Sequence, residues 1–224
     1  NNTSTYRFSN APELGYSAYN LPHMIKASAF YRFHIANNKN FTTTIGIIYQ
    51  GRSGSPYSML YSGDLNGDNG RGNDLMFIPT DEQIDLMPFK AQGNYTEELQ
   101  RQNLKAWLAK TPYLKDHRGE YFKRNADNLP FENHFDFHVA EKMSVKVGKQ
   151  IHSLELSLDI LNVGNLLNKD WGRTYGTTYS NELVSPLTYD GGKFQFLSTP
   201  DYVIKYPQSY YSRWRGQLGL KYTF

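Results

Sequence analysis

Five stretches of this chain alternate apolar and polar residues with a period of two. In the first, Ile25, Ala27, Ala29, Tyr31, Phe33 and Ile35 are interleaved with Lys26, Ser28, Arg32 and His34, Phe30 being the exception. In the second, Phe41, Ile45, Ile47 and Tyr49 alternate with Thr42, Thr44 and Gln50. Phe135, Phe137, Val139, Met143, Val145 and Val147 oppose His134, Asp136, His138, Ser144 and Lys146 in the third. The fourth sets Leu154, Leu156, Leu158 and Ile160 against Ser153, Glu155, Ser157 and Asp159. The fifth, Ser209–Phe224, places Trp214, Gly216, Leu218, Leu220, Tyr222 and Phe224 opposite Arg213, Arg215, Gln217, Gly219, Lys221 and Thr223. Successive side chains of a strand point to opposite faces, so the pattern predicts five strands with one apolar and one polar face.

The connections alternate as well. Ala36–Asn40 and Gly148–Gln150 are tight polar turns, whereas the links after the second and fourth strands run to roughly 80 and 45 residues, against a usual median of about five. Short turns on one side and long loops on the other is the rule for barrels that cross an outer membrane. Trp214 to Phe224 makes roughly 33 Å of strand, which tilted by about 40° projects to roughly 25 Å, the height of the apolar band on such barrels. Trp214 then falls at one interface and Tyr222 with Phe224 at the other, where amphipathic rings prefer to lie. The predicted fold class is all-β: the C-terminal section of a large transmembrane β-barrel with long extracellular loops. Residues 1–224 are read as part of one barrel domain, with Asn1–Pro22 in an earlier extracellular loop. Five strands cannot close a barrel, so further strands are expected upstream.

Composition narrows the classes. Hydrophobic residues make up 39% and mean hydropathy is −0.65. No run approaches the ~20 apolar residues of a membrane helix. Aromatics reach 15%, which suits interface girdles. Cysteine is absent, which removes disulfide and thiol chemistry, and a net charge of +3 is too small and too scattered for nucleic acid. No secretory signal is read in the chain, yet an outer-membrane protein requires one, so the expectation is that the chain is processed or that its front is missing.

The order Gln217, Gly219, Tyr222, Phe224 resembles the C-terminal assembly signal of bacterial outer-membrane barrels. The run Asp159-Ile160-Leu161-Asn162-Val163-Gly164-Asn165-Leu166-Leu167-Asn168-Lys169 resembles the penultimate-strand signature of TonB-dependent receptors. Tyr211–Leu220 resembles the final strand of their Bacteroidota branch, the SusC-like and Oar-like receptors. Gly54-Ser55-Pro56-Tyr57, Gly63–Asp68 and Asn73–Pro79 look closer to the Oar-like side. The likeness covers most of Ile25–Phe224. It implies an outer-membrane location in a Gram-negative bacterium with the C-terminus in the periplasm, and active uptake of a nutrient. The implied partners are the rest of the barrel and its plug, the TonB complex reached through an upstream segment, membrane lipid and lipopolysaccharide, and a surface lipoprotein.

Two clusters carry candidate metal chemistry. Asp64, Asn66, Asp68 and Asp74 place oxygen ligands at alternate positions of a Gly-rich turn, as in the opening of an EF-hand calcium loop. The glycine falls at Gly70 rather than directly after Asp68, and the twelfth position is Leu75 where a calcium loop has Glu. The alternative is a solvated Asp/Asn turn that needs no ion. His134, Asp136 and His138 share a strand face, yet same-face neighbours lie roughly 6–7 Å apart and rarely converge on one ion. A polar lining is the alternative there, with Glu155 and Asp159 pairing with His or with Lys146. Tyr95–Lys110 reads as a helix capped by Thr96, with Leu104, Trp107 and Leu108 on one face, either a lid or packing against neighbouring loops.

No nucleophile elbow, phosphate loop or hydrolytic carboxylate pair is present, so the chain is read as no enzyme. Transport is the leading function. A receptor-like barrel kept as a structural or assembly component of an outer-membrane complex is the alternative from another class, and a soluble ligand-binding β-sandwich is the third.

Overall fold

The computed structural model describes residues 13–177, 183–197, 206–207 and 209–224. In chain order the elements begin with β1 (Met24–Phe33), β2 (Phe41–Arg52), β3 (Pro56–Ser62), α1 (Asp81–Leu86), α2 (Glu97–Lys110), α3 (Pro112–Asp116) and β4 (Asp127–Asn128). There follow β5 (Glu132–Val147), β6 (Gln150–Leu161), α4 (Val163–Leu167), β7 (Tyr175–Gly176) and β8 (Leu183–Asp190). The last are β9 (Lys193–Gln195), β10 (Tyr206–Pro207), α5 (Ser209–Ser212) and β11 (Arg215–Thr223).

The five period-two stretches pair into one open antiparallel sheet in the order β1-β2-β5-β6-β11. Both tight turns are built by backbone chemistry. Between β1 and β2, Ala36 takes φ 51 and the Asn38 side chain accepts from the Asn40 amide at 3.0 Å, closing an Asx turn. Between β5 and β6, Gly148 takes φ +63, a conformation a side chain would resist. The final strand begins later than its periodicity predicts: Ser209–Ser212 is a short helix, and pairing starts at Arg215. The Ser212 hydroxyl accepts from the Thr174 amide at 3.0 Å and donates to the Thr174 carbonyl at 3.3 Å, so this residue is spent on a turn rather than a ladder.

The chain divides into two compact units. Leu21–Gly54, Pro130–Tyr175 and Pro207–Phe224 form the sheet unit. Ser55–Leu129, with the described parts of 1–20 and 176–206, forms the link unit. The sequence treats those links as loops of one domain carrying a single helix. They contain instead a four-stranded sheet, β4-β3-β8-β9, in which β3 and β8 run parallel, together with α1, α2 and α3. Met59, Leu60, Ile78, Ile84, Phe89, Leu104, Leu108 and Phe122 are buried there.

The expected helix is α2. Thr96 caps it by accepting from the Leu99 amide at 3.1 Å, and Leu104, Trp107 and Leu108 are buried as the pattern requires. Gln100 is buried with them and fully used: its amide donates to the Lys90 and Tyr95 carbonyls, and its oxygen accepts from the Phe196 amide at 2.9 Å. A buried amide with all these partners costs little, whereas one left unpaired would be expensive. This places α2 in the core of the link unit.

Candidate functional site

The sheet unit has two chemically opposed surfaces. One rung runs Tyr31–Ile45–Val139–Leu158–Leu218 across all five strands. The adjacent rung, pointing the other way, is Phe30–Gly46–His138–Asp159–Gln217. Leu156 pairs with Leu220 on the apolar side, while Glu155 lies between Lys142 and Lys221 on the polar side.

The apolar face is not covered. Leu218 is 75% exposed, Leu220 72% and Leu156 57%. Among the described residues, Ala140 is the one buried apolar side chain of the sheet unit, all others belonging to the link unit. A sheet of this width in water would hide its leucines; this one displays them.

Glu141 is the acid on the apolar face. Its carboxylate accepts from the Thr43 hydroxyl at 2.5 Å, directly across the β2–β5 ladder. The second carboxylate oxygen is buried with no protein donor.

On the polar face the expected histidines separate. His134 lies 3.7 Å from Glu132, which also receives Arg52 at 2.8 Å, and its ring shares a hydrogen bond with Thr174. Asp136 accepts from the Asn162 amide at 2.7 Å. His138 pairs with Asp159 at 2.6 Å, the His partner the sequence offers for that acid. Lys146 stands opposite Ile151 in the ladder, away from Glu155 and Asp159. Each ligand-type side chain therefore has its own partner. Phe30, the break in the β1 alternation, lays its ring over Gly46, where an added Cβ would sit 2.3 Å from it, and meets the His138 ring edge-on.

The acidic loop brings Asp64, Asn66, Asp68 and Asp74 together and turns them on its own backbone. Asp64 accepts from the amides of Gly67, Asp68 and Asn69. Asn66 accepts from the Asp68 amide, Asp68 from the Gly70 amide, and Asp74 from those of Leu65 and Asn66. Burial pushes the Asp74 carboxyl above its ordinary range; the two amides oppose that rise, and the charges of Asp68 and Asp64 add to it. Among the described residues, no group of three or more His, Asp or Glu side chains is arranged to hold a metal ion.

The C-terminal signal residues have distinct places. Gln217 and Gly219 are on the polar face, and Ser157 sits over Gly219, its hydroxyl 2.5 Å from where a Cβ would stand. Tyr222 is on the apolar face, sharing a 2.7 Å hydrogen bond with His152 and stacked against Phe224.

The Asp159–Lys169 run works as a clamp, which its spelling alone does not disclose. Asn162 adopts φ 54, and its side-chain amide donates to the Gly172 carbonyl at 2.8 Å and the Ser212 carbonyl at 3.0 Å. Asn165 donates to the carbonyls of Lys169 and Trp171. Two asparagines thereby fix the return from β6 toward β11. The signal for this in sequence is Asn before Val-Gly, a residue type that tolerates the left-handed conformation. Comparison with protein-family models, curated proteins and solved structures finds no match.

Proposed function

We propose that this chain is part of the wall of an outer-membrane β-barrel, of the TonB-dependent receptor class, through which a nutrient is actively taken up. The observation that carries the reading is the uncovered apolar face: rung after rung of Leu, Ile, Val and aromatic side chains on a sheet with no second layer over it in its own unit. Lipid satisfies such a face without further protein. The opposite face, carrying the His138–Asp159 pair and the Lys142–Glu155–Lys221 row, suits a wet lumen. The link unit then supplies the extracellular part, and the resemblance of Asp159–Lys169 and Tyr211–Leu220 to the receptor signatures supplies the transport class. Calcium at the acidic loop is a separate proposal, in which Asp64, Asn66, Asp68 and Asp74 would have to turn from the loop amides they accept from to serve as its ligands.

Nitroxide labels at Leu156 and Glu155 of the full-length protein in vesicles test this directly. Leu156 is expected to be accessible to oxygen dissolved in the bilayer, and Glu155 to a water-soluble relaxation agent. Equal access of the aqueous agent to both positions would overturn the membrane reading. Transport itself is tested by accumulation of label from candidate nutrients, with and without an inner-membrane proton gradient.

A further inference from the structure

Where the apolar face meets the segment after α4, Phe131, Asn133, Phe135, Trp171, Arg173 and Tyr175 line an open cleft of about 240 Å³. All of them belong to the sheet unit. Asn133 and Phe135 share the parity of Phe137 and Val139, and Phe135 packs on Tyr49 with ring centroids 4.7 Å apart. The cleft is thus a continuation of the apolar face, at the end of β5 opposite the Gly148 turn.

Its chemistry differs from the rest of that face in two ways. The walls are rings that the fold leaves out of any core: Trp171 is 57% exposed and Phe131 41%. Trp171 is nevertheless held in place, its amide donating to the Asn168 carbonyl at 3.0 Å and its carbonyl accepting from Asn165 at 3.1 Å. Beside the rings stands a guanidinium. Arg173 donates from Nε to the Lys169 carbonyl at 3.2 Å and pairs with Asp170, a partner 56% exposed. Exposed ion pairs of this kind are weak and exchange readily for a better anion, and a guanidinium matches phosphate with two parallel bonds.

We propose that this cleft seats one membrane lipid at the junction of its acyl chain and an anionic phosphate headgroup, the rings covering the chain and Arg173 taking the phosphate. The inference rests on the membrane reading of the sheet. Continuity with the apolar face selects an amphiphile over a free solute, and the cation selects an anionic headgroup over a choline, which rings alone would favour.

The experiment uses the full-length protein in vesicles of phosphatidylcholine. A minor fraction carries bromine on its acyl chains, either as phosphatidylglycerol or as phosphatidylcholine. The fluorescence of Trp171 is taken as the difference between the native protein and Trp171→Phe. Brominated phosphatidylglycerol is expected to occupy the cleft about fivefold in preference to brominated phosphatidylcholine. Arg173→Gln should remove that preference while leaving the quenching by both lipids. Equal quenching in the native protein, a preference for phosphatidylcholine, or a preference that survives Arg173→Gln would each overturn the headgroup assignment. Leu156→Trp separates this from failure of the underlying reading. If a tryptophan at 156 is quenched and Trp171 is not, the cleft inference alone is lost; if neither is quenched, the membrane reading falls with it.

Discussion

Thr43 donates its hydroxyl hydrogen to the Glu141 carboxylate across the β2–β5 ladder, on a face built mainly of apolar residues such as Ile45, Val139 and Leu158. A carboxylate there is tolerated because it has a donor. Thr43→Val takes the donor away and is expected to destabilise the protein by about 1–3 kcal/mol. The double variant Thr43→Val with Glu141→Leu is expected to recover most of that loss, since an apolar pair of similar volume leaves nothing unsatisfied. Unfolding of the detergent-solubilised protein, followed for the native, both single and the double variant, checks the cycle. Equal stability of Thr43→Val and native protein would show that the hydrogen bond is not made.

Gly172 has φ +60, and a Cβ placed on it would lie 1.8 Å from the Asn162 side-chain oxygen. Gly172→Ala therefore meets both a strained backbone and a clash. Its expected cost is about 1–3 kcal/mol. Asn162→Ala should loosen the same return by releasing the Gly172 and Ser212 carbonyls. Limited proteolysis between Lys169 and Thr174 is the direct readout, and both variants should be cut faster there than the native protein. Cutting at the native rate would mean that the clamp does not hold the segment.

The five-strand pairing was legible in the sequence because its period-two signal is long and its faces differ sharply, as Leu154–Ile160 against Ser153–Asp159 illustrates. The link unit was not. Met59, Ile78 and Phe122 are buried by contacts distant in sequence, and short strands such as β4 and β9 carry too few residues to show a period. Gln100 looked like one polar residue of a helix. Only the placement of Lys90, Tyr95 and Phe196 around it explains its burial. In the candidate site, face assignment followed from alternation, but partner choice did not: Asp136 meets a backbone amide at Asn162, and Glu132 takes Arg52, neither of which spacing could reveal. The acidic loop was read by ligand type, whereas the direction of each oxygen depends on backbone amides that a sequence does not place.

Because Asp64, Asp68 and Asp74 are engaged by their own loop amides, calcium binding at this loop is expected to be weak if measurable, in the range of about 10⁻⁴–10⁻³ M. The missing twelfth-position Glu removes the bidentate ligand that closes an EF-hand. Calorimetry on the intact protein, with Asp64→Ala and Asp68→Ala as controls, checks this. Nanomolar affinity lost in both variants would show that the oxygens reorganise around an ion.

The raised Asp74 carboxyl gives a pH dependence with a definite sign. A carboxyl whose folded pKa exceeds its unfolded value of about 3.9 favours the folded state most at low pH, and that contribution fades as pH rises through the folded pKa. Native protein should therefore lose stability relative to Asp74→Asn as pH is raised from about 4 toward neutrality. The Asn side chain keeps an oxygen for the Leu65 and Asn66 amides, so the comparison isolates the charge. Unfolding midpoints of both proteins across that window provide the measurement. A difference that is flat, or that grows as pH falls, would show that Asp74 does not carry the shift.

Tyr222 sits on the apolar face with its hydroxyl on His152, and Phe224 stacks beside it, so neither ring closes a core. Replacing both by Ser should cost little folding stability yet sharply reduce the protein recovered in the outer membrane. Fractionation of cells expressing the variant, alongside unfolding of the refolded protein, separates the two effects. Normal membrane levels would remove the assembly role of Gln217, Gly219, Tyr222 and Phe224.

Among the described residues the sheet pairs β1 with β2 alone and β11 with β6 alone, so each outer strand presents an unpaired edge there. In hydrocarbon every unpaired backbone group costs several kcal/mol, and in water two open edges beside uncovered leucines template aggregation. Neither solvent therefore suits this sheet alone. Expressed by themselves, the 224 residues are expected to aggregate or to require detergent and associate through their edges, rather than to form a soluble monomer. Lys26, Arg32 and Lys221 lie on the polar face and leave the apolar face little charge beyond Glu141 to keep copies apart. In the complete assembly both edges should be continued, β1 and β11 each hydrogen-bonding to a strand outside this sequence. Amide hydrogen exchange reads this out: protection along Met24–Phe33 and Arg215–Thr223 should be low in the isolated chain and rise to the level of β2 and β5 in the assembly. A well-folded monomer in water with both edges exchanging freely would remove the barrel reading at its base.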